Sequence, residues 1–209
     1  TDDDWRHKPY LIEYSDAAMR EKVDYMTRLL EDTFQTKMVS HRAGRWAFDE
    51  RYARLLVEYG YQVDCSVTPR VNWKTAEGAP QGDGGTDYRR FPQHAYFLDE
   101  NDISREGHSP LLEVPMSIQY KHSAWMNSVK QGYDRLRGKV RSPSVHWLRP
   151  MGGNVETMKK VVEQTLTQGN DYVEYMLHSS EYMPGGSPTF QNERDIERLY
   201  ADLEAFFSW

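Results

Sequence analysis

The stretch MVSHRAGRWAFDERYARLLVEYGYQVDCSVTP, Met38–Pro69, holds the reading on which the fold class turns. Met38–His41 reads as a short strand, with Arg42-Ala43-Gly44-Arg45-Trp46 as the turn behind it. From about Phe48 to Tyr59 the apolar residues Tyr52, Leu55, Leu56 and Tyr59 recur at helical spacing, so a helix turns them inward. Gly60 stands where a glycine past the last turn stops a helix. Tyr61–Val67 reads as the next strand, closed by Thr68-Pro69. Strand, helix and strand in this order is the unit from which parallel α/β sheets are built.

The same alternation extends in both directions. Upstream, a helix is expected over Asp16–Thr33 with Ser15 as its N-cap; Met19, Val23, Met26, Leu30 and Phe34 make one apolar face. Downstream, Arg70–Tyr88 is polar and glycine-rich, too long for a simple connection, and either a functional or a disordered loop. Leu111–Ile118 reads as a strand. His122–Arg137 has Trp125, Met126, Val129, Tyr133 and Leu136 spaced for one helical face. Ser144–Leu148 is the next strand, followed by a helix from the Asn154 cap through Leu166 that buries Met158, Val161, Val162 and Thr165. Gly169 ends it. The last helix, about Glu193–Phe207 behind Asn192, buries Ile196, Leu199, Leu203 and Phe206. At least five strands alternate with helices in one domain over 1–209, without internal repeats.

Composition narrows the function classes. The 209 residues carry a net charge of −6, which argues against a nucleic-acid partner. Aromatic residues reach 13%, from either a carbohydrate-stacking surface or an aromatic core. Cys65 is the single cysteine, so no intrachain disulfide and no cysteine-based zinc site forms, as suits a reducing compartment. No apolar run is long enough to span a bilayer, and no signal peptide opens the chain, which points to the cytoplasm. Thr1 opens a charged stretch without Met, as in a sequence cut from something longer.

The candidate site gathers around Tyr172–Pro188, YVEYMLHSSEYMPGGSP. A β-rich run, Tyr172–Leu177, delivers His178 at its end, followed by Ser179, Ser180 and the turn Met183-Pro184-Gly185-Gly186. Loops past the carboxyl ends of strands enclose the clefts of α/β proteins. A histidine there suits proton transfer near neutral pH, and its plain alternative is a strand-end histidine satisfied by backbone.

Several segments, in order, resemble the NodB-like polysaccharide deacetylases, in the branch associated with lipopolysaccharide and capsule biosynthesis. They are His41–Pro69, Asn72–Pro92 (NWKTAEGAPQGDGGTDYRRFP), Leu111–Ile118 (LLEVPMSI), Phe97–Ile103 (FLDENDI), Leu148–Asn154 (LRPMGGN) and Met176–Phe190 (MLHSSEYMPGGSPTF). The resemblance implies a distorted (β/α) barrel of about seven parallel strands. It implies an enzyme that removes acetyl groups from N-acetylated sugars with a divalent metal, usually zinc, in O-antigen or capsule biosynthesis. The family's arginine motif maps onto Arg42-Ala43-Gly44-Arg45, where Arg42 would orient a catalytic carboxylate and an amide near Gly44 would face the oxyanion. Its Leu-His motif maps onto Leu177-His178, making His178 the general acid for the departing amine.

The family's catalytic Asp and its His pair belong before the Ser15 helix, and the chain begins too late to hold that first strand. Either the metal ligands lie upstream of this numbering or the chain never had them; the former is preferred, because a barrel without its first strands has open edges. The metal ligands are therefore unassigned, with Asp4 and His7 the weak candidates. Arg45 and Trp46 are read as sugar contacts or packing, and Ser179 as a contact that fixes His178. Asp64 either faces the cleft, caps a helix or packs. Trp73 either stacks on a pyranose ring from the glycine-rich loop or sits in a mobile surface loop. His41, His94, His108, His122 and His146 lack ligand-like spacing and are read as structural or surface residues. Two rival functions stand beside the N-deacetylase: a non-catalytic carbohydrate-binding or scaffolding protein, and an O-acetyl esterase.

Overall fold

The structure is a computed structural model. It describes residues 8–76, 78–80, 82–123, 125–127, 129, 133, 136 and 144–209. The chain divides into two compact units, Thr1–Pro115 and Met116–Trp209.

The first unit opens with a 3-10 turn, Leu11–Glu13, and helix α1, Asp16–Phe34. Ser15 caps α1, its hydroxyl accepting from the Ala18 amide at 3.4 Å. Met19, Val23 and Thr27, four residues apart, form the buried line, and the Thr27 hydroxyl meets the Tyr61 hydroxyl at 2.9 Å. Met26 and Phe34, expected on the inward face, are exposed. Then come β1 (Ser40–His41), helix α2 (Glu50–Glu58), β2 (Val63–Asp64), β3 (Tyr96–Asp99), β4 (Asp102–Glu106) and β5 (Leu112–Glu113). Asp49 caps α2 through the Tyr52 amide, and Gly60 (φ 81°) ends it in the conformation glycine tolerates best.

The sheet runs β1-β2-β5-β3-β4. β1 pairs with β2 and β2 with β5 in parallel; β5–β3 and β3–β4 are antiparallel. Phe48, Leu56, Val67, Tyr88, Leu98 and Leu111 are wholly enclosed and form its core.

In the second unit β6 (Ile118–Tyr120) and β7 (Val145–Trp147) form an antiparallel pair. Helix α3 (Val155–Thr167), a 3-10 turn (Ser179–Tyr182) and helix α4 (Glu193–Phe207) follow. Leu148, Met158, Val161 and Phe206 pack together, as do Phe190, Ile196 and Leu199. Asn192 caps α4 reciprocally: its Oδ1 accepts from the Asp195 amide, and Asp195 Oδ2 accepts from the Asn192 amide.

The barrel of about seven parallel strands is therefore corrected to a mixed α/β arrangement: a mixed five-stranded sheet with only two parallel pairs, and a small two-stranded sheet. Two local causes account for much of the difference. Asp99–Asp102 turns tightly, the Asn101 amide bonding to Asp99 Oδ1 at 2.8 Å, so β3 and β4 form a hairpin and must run antiparallel. No strand is expected between Val67 and Leu111 from the sequence, because the polar string DISRE hides β4. Second, the run Leu111–Ile118 is divided: Pro115, with no N–H to give a ladder, lies between β5 and β6.

Two further expectations differ. Tyr172–Leu177 is extended without joining a strand ladder; the Glu174 amide bonds to Ser117 Oγ and the Met176 amide to the Leu148 carbonyl. The described residues within 125–136 are helical, but Trp125, Met126, Val129, Tyr133 and Leu136 are all exposed instead of buried. Among the described residues no helix is long and apolar enough to cross a membrane.

Candidate functional site

Each of the three parallel strands of the first unit ends on a titratable side chain: His41 on β1, Asp64 on β2, Glu113 on β5. The register places His41 opposite Asp64 and Asp64 opposite Glu113, so parallel pairing alone brings three residues from distant parts of the chain into one row. Asp64 and Glu113 are fully buried.

The row is closely hydrogen-bonded. His41 Nδ1 lies 2.5 Å from Asp64 Oδ1, and His41 Nε2 lies 2.6 Å from the Tyr52 hydroxyl. The Ser66 hydroxyl donates to Asp64 Oδ1 at 2.9 Å and its amide to Asp64 Oδ2 at 3.0 Å. Ser66 Oγ in turn accepts from the Ala43 amide at 2.8 Å. The Val67 amide donates to Glu113 Oε1 at 2.9 Å, while Glu113 Oε2 is buried without a hydrogen-bond partner among the described residues. Burial, and then the neighbouring Asp64 charge, hold the Glu113 carboxyl well above the usual carboxylate range.

Above this row the loop after β1 carries the predicted substrate contacts. Arg42 and Arg45 are exposed; the Arg42 guanidinium lies 5.4 Å from the Trp46 ring centre, and that of Arg45 5.4 Å from Tyr10. The left-handed residue of the turn is Trp46 (φ 59°), whereas Gly44, near which an oxyanion-facing amide is expected, is exposed and outside that region. The Trp46 carbonyl accepts from the buried Tyr88 hydroxyl at 2.6 Å, which helps hold that conformation. Trp73 is half-buried, its Nε1 donating to Thr68 Oγ1 at 2.8 Å.

The glycine-rich segment behind Trp73 folds back on itself. The Trp73 amide bonds to the Thr86 carbonyl, and the amides of Gly85 and Tyr88 to the carbonyls of Trp73 and Val71. Glu13 Oε1 accepts from the Ala79 amide at 2.7 Å. This segment lines a cleft of about 760 Å³ within the first unit, bordered by Lys8, Glu13, Arg51, Lys74, Asp83 and Asp102.

His178 belongs to the second unit, where it precedes the 3-10 turn Ser179–Tyr182. Its side chain and that of Ser179 are exposed. The His178 amide donates to Glu181 Oε2 at 2.8 Å, and the buried Glu181 takes Arg149 Nη2 on Oε1 at 2.6 Å. An ion pair therefore fixes the backbone of His178 and leaves its ring free for solvent. The glycines behind it have defined tasks. Gly185 has φ 74°, and a Cβ on Gly186 would stand 2.1 Å from the Ser180 carbonyl oxygen. Gly186→Ala should open this turn and cost about 1–3 kcal/mol, the range for overpacking. Urea unfolding checks it, and an unchanged midpoint would show that the turn yields.

Among the described residues no three His, Cys, Asp or Glu side chains are grouped so as to hold a metal ion. Asp4 and His7 lie outside the described residues. Sequence reasoning passed over His41, Tyr52 and Glu113. Only His41 ends a β-run legible in the sequence; Asp64 and Glu113 lie inside the expected strands Tyr61–Val67 and Leu111–Ile118, and only the structure ends β2 and β5 on them.

Comparison with protein-family models, with curated proteins and with solved structures finds no match.

Proposed function

We propose that the chain serves a carbohydrate N-deacetylase that hydrolyses the acetamide of an amino sugar in a surface-polysaccharide precursor. The observation that carries this reading is the loop after β1. There a solvent-facing arginine and a tryptophan face stand together over a buried acid row at the carboxyl ends of parallel strands. Loops at such strand ends are where α/β proteins bind ligands. An aromatic face with an adjacent cation suits a pyranose ring and its polar substituents.

In the reaction, water adds to the acetyl carbonyl, the C–N bond breaks, and the amine leaves with a proton as acetate is released. The resemblance gives the role of proton donor to His178, an exposed residue of the second unit whose backbone is anchored by Glu181. Zinc, the usual metal of the family that the sequence resembles, belongs to the proposal. The single cysteine suits a reducing compartment, so the proposed place of action is the cytoplasm.

The test is acetate release from nucleotide-linked, lipid-linked and polymeric N-acetylated glycans by the full-length protein with zinc. Release with formation of a free amine supports the reading. Release that leaves a hydroxyl instead would make the protein an esterase. Failure on every substrate, with glycan binding retained, would favour a non-catalytic binder. The saturation of Asp64 by His41 and Ser66 speaks for that second reading, because a carboxylate so occupied has little left to offer a substrate.

A further inference from the structure

We propose that Asp64 and Glu113 form a proton-sharing pair, with Asp64 ionised and the proton on Glu113 Oε2, and that this shared proton holds the Ala43–Trp46 loop in place.

The two carboxyls face each other from adjacent parallel strands, both with no exposure. Among the described residues the only ion-pair partner of either is His41, and no lysine or arginine neutralises them. Two ionised carboxylates so enclosed would repel without solvent to screen them, so one keeps its proton.

Hydrogen bonding says which. Asp64 receives the His41 ring, the Ser66 hydroxyl and the Ser66 amide, all donors, as an anion requires. Among the described residues Glu113 receives one amide, from Val67, and its other oxygen is buried with nothing donating to it. A proton on that oxygen turns it from an unsatisfied acceptor into a donor toward the Asp64 anion.

The competing placement puts the extra proton on His41. In that state His41 Nε2 would donate to Tyr52, and the buried Tyr52 hydroxyl, which bonds to His41 alone among the described residues, would have no acceptor for its own proton. With the ring neutral, Tyr52 donates to Nε2, Nδ1 donates to Asp64, and every group is satisfied. The other titratable groups facing Glu113 are Cys65 just after β2, Tyr96 on β3 and Tyr88, none of which brings a positive charge.

The consequence reaches the loop through Ser66, which donates to Asp64 and accepts from the Ala43 amide. Loss of the Glu113 proton sets two buried charges against each other at the base of that relay. The raised glutamate binds its proton in the folded state at pH values where the unfolded chain has released it. Stability is therefore complete below the ordinary glutamate range and falls as pH rises toward the folded-state midpoint, by about tenfold in the folding constant per pH unit.

The test uses the full chain with carboxyl-labelled glutamate, followed by carbon NMR against pH. One glutamate resonance should remain at the protonated position at neutral pH and be missing in Glu113→Gln. That variant should also lose the tenfold-per-unit fall in stability, and amide exchange at Ala43 in the wild type should speed up as the resonance titrates. All glutamates ionised at neutral pH, or a cationic His41 in the nitrogen spectrum, would overturn the proposal; so would a folded Glu113→Gln with an unchanged slope. The wild-type spectra decide the matter should the variant fail to fold.

Discussion

Asp64→Ala is expected to cost about 3–5 kcal/mol, because three donors lose their acceptor at about 1–3 kcal/mol for each one left buried and unsatisfied. The carboxylate accepts from His41 Nδ1, the Ser66 hydroxyl and the Ser66 amide. Without it those donors remain buried and unpaired, and Glu113 loses the anion it faces. The cavity adds to the cost, because β2 lies between β1 and β5 and the site cannot fill with water from an edge. Asp64→Asn should cost less, since the amide oxygen can still accept from His41 or Ser66. Urea unfolding followed by circular dichroism measures both. An Asp64→Ala protein within about 1 kcal/mol of wild type would mean the row collapses harmlessly.

His178→Ala is expected to do the reverse: lose about 10²–10⁴-fold in kcat with little change in stability. The ring is exposed, and what ties this residue to its surroundings is its backbone amide on Glu181, which alanine retains. Stability should stay within about 0.5 kcal/mol, as for surface substitutions. Near-normal turnover on a substrate that wild type deacetylates would eliminate His178 as the proton donor while leaving the reaction class standing.

The helices were legible because their signals are local. Asn192 with Asp195 marks the start of α4, and Ile196 and Leu199 recur one turn apart on its buried side. Ser15 and Asp49 mark α1 and α2 in the same way, and Gly60 marks the end of α2. The strands were far less legible. β1, β2 and β5 are only two residues long, too short for alternation to show, and β4 reads as a charged loop.

His41 shows the same limit within the site. Its spacing to the other histidines carries no information, since its partners are Asp64 and Tyr52, of another residue type and on other elements. What the sequence determined by itself was where the helices begin and end, since capping and apolar periodicity act within a few residues; the expected alternation fails, because β2 to β6 follow one another with no described helix between them. The tertiary structure alone decided that the sheet is mixed, not a parallel barrel, and that a histidine and two acids share one buried row. Strand pairing joins residues 23 and 49 positions apart, and no local preference encodes which strand becomes the neighbour.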